Sequence, residues 1–114
     1  MRLKNDLYKK EQIDILNKII DIIELDDDNG IILYELDNDK VKQEKILGLL
    51  PEIRKYFSLS FLKSISNPDL SKRPYLSIIK NITKLEYKIM SCDYRLKKDD
   101  STEIRTKKYI FIKQ

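Results

Sequence analysis

The chain ends in two β-prone segments of similar length, residues 87–96 and 103–112, and this pair limits the possible folds more than any other feature. Isoleucine and tyrosine, which favour strands, recur in both segments. The six residues between them are all polar, with two lysines, two aspartates, a serine and a threonine. Two such segments joined by a short polar loop predict a β-hairpin.

The second segment has two chemically different sides, because successive side chains of a strand point to opposite faces. One side is mostly apolar: Ile104, Thr106, Ile110 and Ile112. The other side carries cations: Arg105, Lys107 and Lys113. We therefore expect the isoleucine side to face the core and the cationic side to be exposed.

Charge is distributed unevenly along the chain. The net charge is +4, but residues 1–60 carry 10 basic and 13 acidic side chains, whereas residues 61–114 carry 13 basic and 6 acidic ones. Net charge and its distribution determine which partners a surface attracts. An anionic partner is therefore expected to meet the C-terminal half.

Length and composition exclude several classes of protein. A chain of 114 residues suits a single domain, here residues 1–114. No apolar run approaches the roughly 18–20 residues of a membrane span, and no signal sequence is evident. With Cys92 alone and no histidine, an internal disulfide, a zinc site and a histidine-based catalytic triad are all excluded. We expect a non-enzymatic intracellular protein, in cytoplasm or nucleus, without cofactor or metal.

Upstream of the hairpin, the pattern predicts a helix, a strand and a second helix. A broad apolar stripe predicts the first helix over residues 10–25, in contact with more than one neighbour or, alternatively, with a second copy of the chain. Residues 26–30 predict a turn, and residues 31–36 a short strand. The second helix covers residues 40–49, with possible N-caps at Asp37, Asn38 and Asp39.

A proline and a serine-containing segment interrupt the helical pattern in the middle of the chain. Pro51 breaks or kinks the second helix and suits the first turn of a further helical stretch over residues 51–57. Residues 58–66 are compatible either with a continued helix or with a loop packed on the core. Residues 67–71 are typical of a turn.

A third helix is predicted over residues 74–85, with Pro74 in its first turn. One side is apolar: Tyr75, Ile78, Ile79, Ile82 and Leu85. The other side is polar: Ser77, Lys80, Asn81 and Lys84. Such a polar side suits base edges and phosphates, and Asn81 could pair bidentately with adenine. The alternative interpretation is an ordinary solvated helix face.

This order of elements resembles the winged helix-turn-helix over roughly residues 10–112. The resemblance implies an α+β fold, with helices packed against a short strand and a C-terminal two-stranded hairpin, and it implies DNA as the partner. It places Ser77, Lys80, Asn81 and Lys84 on bases and phosphates. Lys72 and Arg73 would lie at the helix N-terminus, and Lys97, Lys98, Arg105 and Lys107 on or near the wing. Arg105, Lys107 and Lys108 are the better phosphate candidates, because Asp99 and Asp100 offset Lys97 and Lys98.

A looser resemblance connects the chain with small proteins of large AT-rich DNA viruses. It is carried by residues 73–80 (RPYLSIIK) and 106–111 (TKKYIF). It implies a role in viral transcription, genome packaging or host interference, inside a host cell.

Three other interpretations stay open. The acidic N-terminal half and the apolar first helix are compatible with a protein-interaction module or a homodimer. Pro68-Asp69 with Glu86-Tyr87-Lys88 spells the residues of the PD-(D/E)xK nucleases, although a helix is predicted between the two parts. Tyr87, Tyr94 and Tyr109 could stack on single-stranded bases, but tyrosines on strands are more often half-buried core.

Overall fold

The computed structural model describes residues 9–25, 30–58, 72–99 and 101–114, and these form the predicted α+β fold. In chain order the elements are α1 (Lys10–Ile23), β1 (Gly30–Ile32), α2 (Leu33–Asp37), α3 (Lys40–Leu47), α4 (Leu50–Tyr56), α5 (Pro74–Thr83), β2 (Tyr87–Lys97) and β3 (Glu103–Lys113). The predictions for residues 26–29 and 59–71 lie outside the described residues.

The three strands form an antiparallel sheet in the order β1-β3-β2. The predicted hairpin is confirmed, and each strand extends one residue beyond the prediction, to Lys97 and Lys113. Pairing is continuous from Tyr87 opposite Lys113 to Lys97 opposite Glu103. Unbroken pairing keeps the two faces of the hairpin distinct along all eleven pairs.

The face of the hairpin that packs on the helices is the opposite of the one predicted. Phe111 is fully buried and Tyr109 nearly so, whereas Ile112 is 46% exposed. We call the face of Tyr109 and Phe111 the helix-side face, and the face of Ile110 and Ile112 the open face. The aromatic rings, being larger than isoleucine, bury more apolar area, and Phe111 also meets the Tyr87 ring edge-on at 6.4 Å.

Helix α1 lies across the other helices, as its broad apolar stripe predicts. Ile15, Leu16, Ile19 and Ile23 are buried, and the helix packs against α3, α4 and α5. It ends at Glu24, which adopts a left-handed conformation with φ 52°, so the helix stops two residues before the predicted end. The contact with more than one neighbour is confirmed.

The strand predicted over residues 31–36 is half helical. Only Gly30–Ile32 pairs with β3, and the chain then turns into α2. The Tyr34 N–H donates to Thr106 Oγ1 at 3.0 Å, which ties the start of α2 to β3. Leu36 is buried in the core, so its apolar contact is made from a helix rather than from a strand.

Helix α3 begins at the predicted Lys40 but ends at Leu47, two residues before the predicted end, and α4 begins at Leu50, one residue before Pro51. Asp39 caps α3, because its carboxylate accepts a hydrogen bond from the Lys42 N–H at 3.0 Å. Pro51 lies in the first turn of α4, and the turn at residues 48–49 separates the two helices. Both the cap and the break at Pro51 are confirmed.

Candidate nucleic-acid interface

Helix α5 is buried on one side and polar on the other. Tyr75, Ile78, Ile79, Ile82 and Leu85 are all buried, as predicted, and Leu76 and Thr83 join them. The predicted polar residues lie on the remaining strip: Ser77, Lys80 and Asn81 are half-buried, and Lys84 is exposed. The strip that a partner could reach is therefore narrow and contains no acidic side chain.

Asn81 is held by its own helix. Its side-chain Nδ2 donates to the Ser77 carbonyl oxygen at 2.8 Å, one turn earlier. An asparagine amide has two N–H groups and a carbonyl oxygen, so one donor and the acceptor remain for another partner. The bidentate pairing with adenine predicted for Asn81 is chemically possible in this orientation.

Lys80 connects α5 to the hairpin. Its ammonium lies 5.2 Å from the ring centroid of Tyr109, within the range of a cation–π contact. Tyr109 belongs to the helix-side face, and Lys107 and Arg105 follow it on that face, each roughly 7 Å farther along the strand. The polar strip of α5 therefore reaches the hairpin at Tyr109, and Lys107 and Arg105 lie farther along the same face.

A second arginine belongs to the same surface and was missed from the sequence. Arg95 of β2 lies directly opposite Arg105 of β3. Its Nη1 is 3.9 Å from Glu103 Oε1, a long ion pair between exposed groups, and such pairs contribute little. We call Lys80, Lys84, Arg95, Arg105 and Lys107 the basic corner, which also borders an acidic residue, Asp93, opposite Lys107.

Arg73 lies at the start of α5 but is committed to an internal contact. Its Nε donates to both carboxylate oxygens of Asp37, at 3.0 and 2.9 Å, and this hydrogen-bonded pairing raises the pKa of the guanidinium. The Tyr75 hydroxyl donates to Asp37 Oδ1 at 2.5 Å. Burial, and then this hydrogen bond, raise the pKa of Tyr75 to about 12. Asp37 thus offsets the charge that Arg73 would offer a phosphate, and Lys72 beside it is exposed.

Three of the lysines that were predicted to bind nucleic acid are not part of the basic corner. Lys108 is on the open face, with its ammonium 5.7 Å from the Tyr94 ring centroid. Lys98, in the hairpin turn, lies 5.5 Å from the Tyr34 ring centroid of α2. Lys97 is exposed on the helix-side face, opposite Glu103. Lys108 therefore projects from the face opposite to that of Lys107, its neighbour in sequence.

The open face of the hairpin has a different chemistry. Met90 lies opposite Ile110 and is 50% exposed, and Ile112 next to this pair is 46% exposed. Tyr94, Leu96 and Ile104 are half-buried toward the hairpin tip. None of the β2 or β3 side chains on this face is acidic, and its cations are Lys88 and Lys108. It is an apolar surface with a basic border.

The described residues contain neither a group of three potential metal ligands nor a helix that is both long and apolar enough to cross a membrane. Of the nuclease-like residues, Pro68 and Asp69 lie outside the described part of the chain. Glu86 lies in the turn before β2, and Lys88 is on the open face.

No family model matches the chain, and neither a curated protein nor a solved structure matches it. The winged-helix and viral resemblances therefore stay predictions. A proposal for the function therefore rests on the geometry of the basic corner.

Proposed function

We propose that the chain is a non-enzymatic DNA-binding module, with the polar strip of α5 in the major groove and the hairpin cations on flanking phosphates. The observation that carries the proposal is the contact between Lys80 and Tyr109. Through this contact, a side chain of α5 packs against the helix-side face of the hairpin.

The groups on this surface have complementary tasks. Ser77 and Asn81 offer the neutral donors and acceptors that read base edges. Lys80, Lys84, Lys107 and the two arginines offer positive charge for phosphates, which supplies most of the affinity in such complexes. A role in transcription or genome handling, in an AT-rich DNA virus within its host cell, is the biological setting that fits this proposal.

Charge-reversal variants test the proposal by fluorescence anisotropy with labelled random duplex DNA. We expect Lys80→Glu and Arg105→Glu each to weaken binding by roughly tenfold or more at low salt, because each replaces a phosphate contact with a repulsion. Arg54→Glu is the matched control, since Arg54 is an exposed cation of α4 and its reversal changes the net charge equally. Equal losses in all three variants, or no loss in the first two, would contradict the proposal.

A second candidate function, homodimerisation, is favoured by the open face. The exposed side chains of Met90 and Ile112, with the half-buried Ile110 between them, could meet the same row of a second copy across a two-fold axis, as a symmetric dimer requires. Sedimentation velocity tests this candidate: it predicts a dimer whose dissociation constant rises strongly in Met90→Glu and is little affected by salt. A monomer at every concentration would remove it.

A further inference from the structure

We propose that Arg95 and Arg105 act as one clamp on a single phosphate group, so that the two guanidinium groups share one anion rather than contacting two. The inference rests on the proposed function for its natural ligand, a nucleic-acid backbone phosphate. Anion binding by the two arginines can also be tested with phosphate ions alone.

The register places the two side chains together. Directly opposed residues in antiparallel strands have Cβ atoms about 4.5–5.5 Å apart, and both side chains project from the helix-side face. Both residues are exposed, so an anion can approach from solvent. The pair is therefore close enough for both guanidinium groups to reach one tetrahedral anion.

The pair of Arg95 and Arg105 differs in charge from the neighbouring pairs on the same face. On the helix-side face, Lys107 lies opposite Asp93, and Lys97 lies opposite Glu103. Those pairs combine opposite charges, which stabilises a sheet, whereas like charges directly opposite each other are destabilising. Arg95 and Arg105 form the one like-charged pair among the eleven described pairs of the hairpin. Glu103 Oε1, 3.9 Å from Arg95 Nη1, offsets part of their repulsion, and a bound anion would attract both groups.

The side-chain type also fits phosphate. A guanidinium group presents several N–H donors in a planar fork that matches two phosphate oxygens, and the group stays charged at every physiological pH. A backbone phosphodiester has two non-bridging oxygens, each with more than one lone pair, so two forks can engage it from two sides. A cavity of 260 Å³ is lined by both arginines with Asp93, Tyr94 and Thr106, so the cations of its wall outnumber its one carboxylate.

A double-mutant cycle on duplex binding tests whether one phosphate is shared. We expect Arg95→Gln and Arg105→Gln each to lower the affinity for random duplex DNA by roughly tenfold, and the double variant to lose little more than either single variant. The control cycle combines Arg105→Gln with Lys107→Gln, whose losses multiply because the side chains contact separate phosphates. Losses that multiply in the arginine cycle overturn the clamp while leaving the proposed function intact.

A second readout does not need DNA. The melting temperature of the free protein, followed as phosphate replaces chloride at constant ionic strength, is expected to rise more for the unmodified protein than for either arginine variant, in which only the general stabilisation by phosphate remains. If the protein does not bind duplex DNA but shows this larger rise, the proposed function fails and the anion clamp stands. If phosphate has the same effect on all the proteins, the clamp is overturned.

Discussion

Arg95 and Arg105 face each other across the hairpin, on the side that also carries Lys80's partner Tyr109. A fold under selection for stability alone would place an acidic residue at one of these positions, because opposite charges across a strand pair are favourable. Natural proteins commonly give up stability at functional sites in this way. This like-charged pair is therefore the place where we propose that an anion binds.

Neutralising one member of this pair should stabilise the free protein. We expect Arg105→Gln to raise the free energy of unfolding by about 0.2–1 kcal/mol at low salt, since it removes a like-charge repulsion across the strands. Urea denaturation at low and high salt measures this change, and the gain should shrink as salt screens the repulsion. Lys97→Gln, which removes a cation opposite Glu103, is the control and should not be stabilising. A loss of stability in Arg105→Gln would mean that the guanidinium groups do not repel each other.

The two faces of β3 should respond very differently to truncation. Phe111→Ala is expected to lower the free energy of unfolding by about 3–5 kcal/mol, because it leaves a cavity in the core. Ile112→Ala, at the next position on the open face, should cost less than about 1 kcal/mol. Chemical denaturation of both variants compares the faces. Equal losses would contradict the assignment of the helix-side face.

The sequence predicts the helices and the hairpin because their patterns are local. The faces of β3 were assigned wrongly because isoleucines at alternate positions outnumber the two aromatic residues, Tyr109 and Phe111, that fill the core. Arg95 was missed because a hairpin's register depends on its loop. A loop over residues 97–102 would place Arg95 opposite Ile104, whereas the observed pairing of Lys97 with Glu103 places it opposite Arg105.

Long-range contacts of the candidate interface could not be predicted in the same way. The pairing of Arg73 with Asp37 spans 36 positions, and nothing local to either residue indicates it. The Lys80 contact depends on how α5 packs against the sheet. The sequence therefore indicated four of the five residues of the basic corner, but not that Asp37 pairs with Arg73.

Removing the negative charge of Asp37 should strengthen DNA binding. Asp37→Asn removes the carboxylate that pairs with Arg73 at the start of α5, so we expect a several-fold gain in duplex affinity and a steeper salt dependence. The variant should also be less stable by about 1 kcal/mol, because it weakens the charged hydrogen bonds from Arg73. Asp14→Asn on α1 changes the net charge equally and is the control for anisotropy. The same gain in both variants would argue against a place for Arg73 in the interface.

Tyr75 should make the fold sensitive to alkaline pH. Its pKa is raised from 10.0 to about 12, first by burial and then by the hydrogen bond to Asp37. A raised pKa means that the neutral phenol stabilises the fold, fully below pH 10 and progressively less as the pH rises toward 12. The free energy of unfolding should decrease across this window by up to about 1.4 kcal/mol per pH unit. Urea denaturation of Tyr75→Phe over the same range should lack this component. A difference between the two proteins that is constant with pH would refute the assignment.

The central claim is that the basic corner binds nucleic-acid phosphates, and the salt dependence of duplex binding tests it most directly. We would titrate labelled random duplex DNA with the unmodified protein by fluorescence anisotropy, at about 50 mM and about 200 mM salt. About four or five phosphate contacts predict an affinity that falls by roughly 100-fold or more between these conditions. No binding at the lower salt concentration, or binding that does not change with salt, would contradict the account.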